Sequence, residues 1–266
     1  MLATNELETC QMSRIPKVIH QLYFPDESAA PASYRQFRHN VLESHPDWQH
    51  MFWTESSARA MLQEHYPSFL PVYDGYQYRI QRCDAIRYFL LHKYGGFYID
   101  MDIEFVRPLD TLLEDSELIF CNRSFIGNAI MGSAAEHPLW PDVFEAMRQR
   151  KDRPPIRLTQ LVDWSQVYYV SRSTGSELLE DCVINGGYAD KDTVKILPGH
   201  VLEADPQYQV DRNKDPLPGF EDMYSIHHKG MRGVPLHLRV FSQVCCSVVR
   251  SAESVRGWIT PRRASR

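Results

Sequence analysis

Two carboxylates one residue apart, Asp100 and Asp102, close the run Tyr94-Gly95-Gly96-Phe97-Tyr98-Ile99-Asp100-Met101-Asp102. Side chains at i and i+2 of a strand share a face. The spacing therefore predicts that both carboxylates project together while Ile99 and Met101 face the opposite layer. Paired hard oxygen ligands suit a divalent cation, and a cation so held can grip a diphosphate. Asp-x-Asp is short and common, so its neighbours decide its weight. Upstream, Asp84 and Arg87 stand three residues apart, on one face if the segment is helical. Arg87 offers a planar fork of donors for phosphate or sugar oxygens, and Asp84 an acceptor for sugar hydroxyls. The plainer alternative is a helix-surface salt bridge worth less than about 1 kcal/mol. The flanking Cys83, Ile86, Phe89 and Leu90 argue for a buried helix, where a charged pair is costly without further partners.

The elements that must position these groups are legible around them. From Arg79 to Leu91, apolar residues at 80, 83, 86, 90 and 94 mark a helical period, and Gly95-Gly96 is a helix stop. Val18 to Phe24 reads as a strand, Ser33 to Glu43 as a helix, and Met51-Phe52-Trp53 as a short strand. Ser57 to Tyr66 is helical, with Pro67 and Pro71 marking a connection. Glu117 to Cys121 and Ala129 to Met131 read as strands, and His137-Pro138 opens a helix to about Arg150. Lys151 to Pro155 is a charged, proline-rich loop. Gln160 to Tyr169 and Ser176 to Val183 look helical, and Val194 to Leu197 is a strand. Such alternation predicts an α/β fold with a mostly parallel central sheet flanked by helices. Ligands of open α/β sheets sit beyond the carboxyl ends of strands. Tyr23 and Asp100 to Asp102 both fall at such ends.

The stretch Arg82-Cys83-Asp84-Ala85-Ile86-Arg87-Tyr88, continued through Tyr94 to Asp102, resembles the signature of the DXD-containing, sugar-binding-region glycosyltransferases. That group takes in Och1-type mannosyltransferases, alpha-1,4-galactosyltransferases and the catalytic domains of clostridial glucosylating toxins. Ile15-Pro16-Lys17-Val18-Ile19-His20-Gln21-Leu22-Tyr23-Phe24 is similar to the family's opening strand. His45-Pro46-Asp47-Trp48 through Phe52-Trp53-Thr54 stands in place of its second strand. The resemblance is specific over about residues 14 to 110. It implies a single GT-A nucleotide-diphospho-sugar transferase domain over residues 1–266, with a donor-binding half (1–125) and an acceptor-binding and closing half (126–266).

By position, the resemblance places Tyr23 against the nucleotide base, and Asp84 and Arg87 on the donor sugar and its phosphate. It places Tyr98 as a lining of the donor site, and Asp100 and Asp102 on metal and diphosphate. Family members often carry Trp where Tyr23 stands and Ser where Cys83 stands. His227-His228 occupies the place of a motif whose His approaches the metal or diphosphate. The resemblance thus implies a metal set of Asp100, Asp102 and His228, with His227 and Lys229 beside the donor. Lys229 adds a phosphate-binding cation. Asn128 precedes a strand in a family-like place, although a turn or cap explains it equally. Ser173-Thr174-Gly175 resembles the family's Thr-Gly-Pro helix start, with a plain N-cap as the alternative. The implied cofactor is Mn2+ or Mg2+. The implied donor is a nucleotide-diphosphate sugar, UDP-hexose first and GDP-mannose second, and the acceptor a glycan, glycolipid or protein. Transfer with retention, in a role such as polysaccharide biosynthesis, is the family-level expectation.

Composition agrees. A chain of 266 residues with 43% hydrophobic content can bury one sizeable core. A net charge of -5 carries no nucleic-acid footprint. An anionic donor would need local compensation, which a metal and Arg87 can supply. No apolar run reaches membrane-span length and no signal peptide is evident. The six cysteines give neither a zinc motif nor a disulfide framework, so a reducing, cytoplasmic setting is expected. Beyond Cys245-Cys246, a series of arginines admits a basic, membrane-surface tail as against a frayed terminal helix. Two other classes fit part of the pattern. A haloacid-dehalogenase-type phosphatase also has a strand followed by Asp-x-Asp, but Ile103-Glu104 does not continue its motif. A non-catalytic nucleotide-sugar-binding or effector protein would have to keep every group of the site without using it.

Overall fold

In the computed structural model, the chain leaves its central helix at Gly95 and Gly96, both at positive φ (63° and 89°). This is a conformation that side chains disfavour. A Cβ on Gly96 would run into the Val18 carbonyl oxygen, so the pair is required by the close approach of two strands as well as by the turn. The structure describes residues 14–123, 125–151, 164–206 and 222–229. The strands among them are β1 (Val18–Leu22), β2 (Gln49–Trp53), β3 (Gly96–Ile99), β4 (Ile103–Phe105), β5 (Leu118–Asn122), β6 (Ile130–Ser133), β7 (Val194–Pro198) and β8 (Ser225–His227). The helices are α1 (Ala32–Ser44), α2 (Glu55–His65), α3 (Leu70–Asp74), α4 (Arg79–Tyr94), α5 (Leu139–Arg150), α6 (Trp164–Ser173), α7 (Ser176–Asn185) and α8 (Gly199–Leu202).

A six-stranded sheet runs β2-β1-β3-β6-β5-β7, and β4 pairs with β8 in a second sheet. β1 is parallel to β2 and β3, and β5 to β7, whereas β6 is antiparallel to both neighbours. The start of β6 thus lies at the same edge as the carboxyl ends of β1 and β3, and the Asp100 amide donates to the Ala129 carbonyl at 2.8 Å. Strand alternation sorts the core into two layers. Tyr98, Leu118, Phe120 and Met131 face the side of α4, while Phe97, Ile99, Ile119, Cys121 and Ile130 face the other. His20, fully buried in β1, ties the turn after α4 to β2. Its Nε2 donates to the Gly95 carbonyl at 2.9 Å while its Nδ1 accepts from Trp53 Nε1 at 3.2 Å. Burial pushes its pKa down to about 4, so the ring is neutral, as those two bonds require.

The α/β class and the mostly parallel sheet are as expected, and several boundaries move. β1 ends at Leu22 instead of Phe24. α4 reaches Tyr94 and is buried around most of its girth, including Asp84 and Arg87. Ile80, counted in its apolar period, is instead 45% exposed and borders a cleft. The largest correction concerns the motif. β3 stops at Ile99, and Asp100 to Asp102 form the turn into β4, with Ile103 N bonded to Asp100 O. Met101 consequently lines the same cleft as the two carboxylates rather than the opposite layer. A tight turn, and not strand alternation, brings Asp100 and Asp102 together. The described cysteines Cys83, Cys121 and Cys182 are free thiols. No described helix is long and apolar enough to cross a membrane. The loop beyond Lys151, the start of the helix expected from Gln160, and the Cys245-Cys246 tail with its arginines lie outside the described residues.

Candidate functional site

α4 delivers Asp84 and Arg87, β3 delivers Tyr98, and the turn that follows β3 delivers Asp100. Arg87 Nη2 lies 3.2 Å from Asp84 Oδ1 and 3.2 Å from Asp100 Oδ1. Its Nη1 donates to the Asn128 carbonyl at 2.8 Å, and its Nε to Cys83 O at 3.2 Å. The guanidinium also stacks over the Tyr98 ring, 4.7 Å from the centroid. Tyr98 Oη donates to Asp100 Oδ1 at 2.6 Å. The Asp84–Arg87 pair is therefore one edge of a buried network and not a surface salt bridge. Asn128 completes it. Its side-chain nitrogen donates to Asp84 Oδ1 at 3.3 Å and its oxygen accepts from Ser176 Oγ at 3.3 Å. Thr174 does not cap α7, a place taken by Gly175; it is fully buried and its Oγ1 lies 3.5 Å from Asp84 Oδ2.

Burial dominates the electrostatics. It raises Asp84 to about 6, with the nearby Asp100 charge adding and Arg87 opposing. Asp100 is raised by burial and by Asp102, again against Arg87. Burial works against the Arg87 charge as well, but Asp100, Tyr98 and Asp84 outweigh it and hold the guanidinium protonated. The Cys83 thiol is pushed up to about 12 by burial, which leaves it an inert wall of the site.

Above this network opens a cleft of about 340 Å³, bordered by Tyr23, Tyr34, Ile80, Arg87, Asp100 and Asp102. Tyr23 stands just past β1, outside both core layers, with its ring edge-on to Tyr34 at 6.1 Å. Leu22 and Phe24 face the core on either side of it. The cleft thus offers an aromatic wall, a guanidinium and two carboxylates in one space.

β8 brings a further group. His227 Nε2 lies 3.5 Å from Asp102 Oδ1, and its Nδ1 lies 3.1 Å from Glu203 Oε2. Burial alone would lower the His227 pKa, but hydrogen bonds to Asp102 and Glu203 raise it to about 10. The expectation of His228 as a metal ligand is corrected here. His228 lies just past the end of β8, where its Nε2 meets Glu104 Oε2 at 2.9 Å and its ring stacks on Phe37 at 4.2 Å. Lys229 is likewise engaged away from the cleft, its Nζ 2.6 Å from Asp205 Oδ1, which also lies close to Arg123. Glu203 is the residue that sequence reasoning missed. It follows the four-residue helix α8 in a stretch with no motif.

A divalent cation fits these residues. Asp102 and His227 converge as oxygen and nitrogen donors, and Asp100 is held near by Arg87 and Tyr98. The surplus of carboxylates, visible in the mutual effect of Asp100 and Asp102, favours a cation. No group of three or more His, Cys, Asp or Glu placed to hold a metal occurs among the described residues. A cation here would draw its other ligands from substrate oxygens and water, as Mg2+ does beside phosphates.

Comparison with known proteins supplies independent context. Residues 31–119 match the family model of the glycosyltransferase sugar-binding region containing a DXD motif. Inositol phosphoceramide mannosyltransferase 3 of Schizosaccharomyces pombe is 38% identical over 135 residues, 50% of this chain and 37% of that protein. Mannosyl phosphorylinositol ceramide synthase SUR1 of Saccharomyces cerevisiae is 37% identical over 135 residues, 50% of this chain and 35% of that protein. The chain thus spans little more than a third of the length of these relatives. An uncharacterized glycosyltransferase of Acanthamoeba polyphaga mimivirus is 28% identical over 178 residues, 64% of each chain. Among solved structures, the ligand-free glycosyltransferase domain of the YGT toxin superposes with a TM-score of 0.53 at 6% identity, covering 68% of this chain and 80% of that one.

Proposed function

We propose that this chain, whose residues 31–119 carry the DXD-containing sugar-binding region of glycosyltransferases, moves a hexose from a nucleotide-diphosphate sugar to an acceptor in a metal-dependent, retaining reaction. The observation that carries the reading is the buried Asp84–Arg87–Asp100 network opening into a cleft that Tyr23 and Asp102 also line. A buried arginine with two carboxylates is costly to keep, and its exposed edge faces a space suited to a ligand. We assign Tyr23 to stacking on the base. Arg87 contributes positive charge near the diphosphate. Asp84 and Asp100, held by Arg87, Asn128 and Tyr98, accept from donor hydroxyls and do not act as nucleophiles.

Asp102 and His227 would hold the divalent cation, with Asp100 beside them. A cation bound there neutralises the charge that develops on the leaving diphosphate. In the transfer, the bond from the anomeric carbon to the diphosphate oxygen breaks. The acceptor hydroxyl oxygen takes its place on the same face and gives its proton to the departing diphosphate. Mannose is the sugar we rank first, because the relatives at 38% and 37% identity are named as mannosyl-transferring proteins. Their names also point to an inositol-phosphate-bearing glycolipid as the first acceptor class to try. The test is a screen of GDP-mannose, UDP-glucose and UDP-galactose for thermal stabilisation and nucleoside-diphosphate release, with and without Mn2+. Manganese-dependent release that disappears in Asp102→Ala is expected. No stabilisation and no release with any donor would overturn the reading.

A further inference from the structure

α8 and β8 are knitted together by backbone bonds. Ala204 N donates to Ser225 O at 3.1 Å and His227 N to Ala204 O at 2.9 Å, just past α8, and Tyr224 N donates to Val201 O of α8 at 2.7 Å. Glu203 and His227 are therefore set side by side by main chain, before any side-chain contact is counted. Glu203 is 5% exposed, with Oε2 on His227 Nδ1. Its Oε1 is buried with no hydrogen-bond partner among the described residues. Gly127 walls that oxygen, since a Cβ there would collide with it. A buried carboxylate whose described partner is one imidazole is expensive, and an apolar residue of similar size would be cheaper.

We propose that Glu203 is a positioning residue for metal binding: it fixes the ring and tautomer of His227 so that Nε2 faces Asp102. Once a cation displaces the Nε2 proton, the hydrogen bond from Nδ1–H to the Glu203 carboxylate leaves the Nε2 lone pair directed at the Asp102 side of the cleft. Carboxylate partners of this kind orient ligating histidines and make them better donors. Gly127 has a part in this arrangement, because its missing side chain is the space the Glu203 carboxylate occupies. The inference rests on the reading of Asp102 and His227 as the metal-holding pair.

The experiment measures Mn2+ binding to the purified protein, with and without nucleoside diphosphate, from the paramagnetic resonance signal of free Mn2+. Thermal melting of the metal-free protein is recorded in parallel. Glu203→Ala is expected to weaken Mn2+ binding by about 10–100-fold. Glu203→Gln, whose amide oxygen still accepts from Nδ1–H, is expected to lose less. Gly127→Ala, which displaces the carboxylate without altering it, is expected to weaken binding as well, and it substitutes for Glu203→Ala should that variant fail to fold. Combining Glu203→Ala with His227→Ala should cost no more than His227→Ala alone. Wild-type Mn2+ affinity in folded Glu203→Ala and Gly127→Ala proteins would overturn the proposal while Asp102→Ala and His227→Ala still lose metal. Wild-type affinity in Asp102→Ala would instead overturn the underlying metal-site reading, and the proposal with it.

Discussion

Replacing Asp84 by Asn separates binding from stability in this site. Asp84 is 5% exposed, and its carboxyl is raised from 3.8 to about 6, chiefly by burial. At 1.36 kcal/mol per pKa unit, keeping it ionised in the native state costs about 3 kcal/mol, a figure that already contains the attraction of Arg87. The sign follows from linkage. The native pKa lies above the unfolded one, so the native state binds the extra proton between them. Stability is lost as pH rises from about 4 to about 6, and the penalty is fully present at pH 7.5. Asn imitates the neutral acid. Its oxygen can keep Arg87 and Asn128 as donors, and its amide can turn to Thr174 Oγ1, which lies 3.5 Å from Asp84 Oδ2. Asp84→Asn should therefore raise the melting temperature at pH 7.5 by about 6 °C, taking the low end of about 2 °C per kcal/mol for a chain of this size. The gain should vanish near pH 4. Turnover and donor affinity should fall at the same time, because an acceptor for a sugar hydroxyl is lost. Paired melting and steady-state assays of wild type and variant across pH 4 to 8 measure both. A destabilised Asp84→Asn protein with unaltered turnover would refute the argument, since it is what a purely structural buried ion pair gives.

Asp102→Ala should abolish metal-dependent turnover while the metal-free melting temperature stays within a few degrees of wild type, as melting curves with and without Mn2+ will show. Tyr23→Ala should weaken nucleoside-diphosphate binding by about 1–3 kcal/mol in calorimetric titration, as loss of a base-stacking ring does. Tyr23→Trp should keep or improve it, and unchanged affinity in a folded Tyr23→Ala protein would remove the stacking assignment. Gly96→Ala places a Cβ against the Val18 carbonyl at a φ of 89°. It should lower the chemical-denaturation midpoint by an amount typical of severe backbone strain, more than about 3 kcal/mol in free energy.

What the sequence determined by itself is local. The pair Gly95-Gly96 had to end a helix, and the apolar period around Asp84 and Arg87 had to bury that charged pair. The alternation of strand and helix patterns had to build a mostly parallel sheet, with the candidate site at its carboxyl edge. These follow from spacing within a few residues, which backbone geometry translates directly into faces and ends. The tertiary structure decided the rest. Asp100 and Asp102 meet through a turn, although strand spacing would have brought them together equally well. Asn128 and Thr174 reach Asp84 from 44 and 90 residues away, because antiparallel β6 and the start of α7 return to the edge that α4 serves. Which histidine ring meets the Asp102 carboxylate is decided where β4 and β8 end: Ile103 pairs with His227, the His228 amide donates to the Asp102 carbonyl, and the His227 ring lies against the Asp102 carboxylate. Glu203 carries no motif at all. Its place beside His227 is fixed by backbone hydrogen bonds between segments distant in the chain, and no pattern confined to one segment records such bonds.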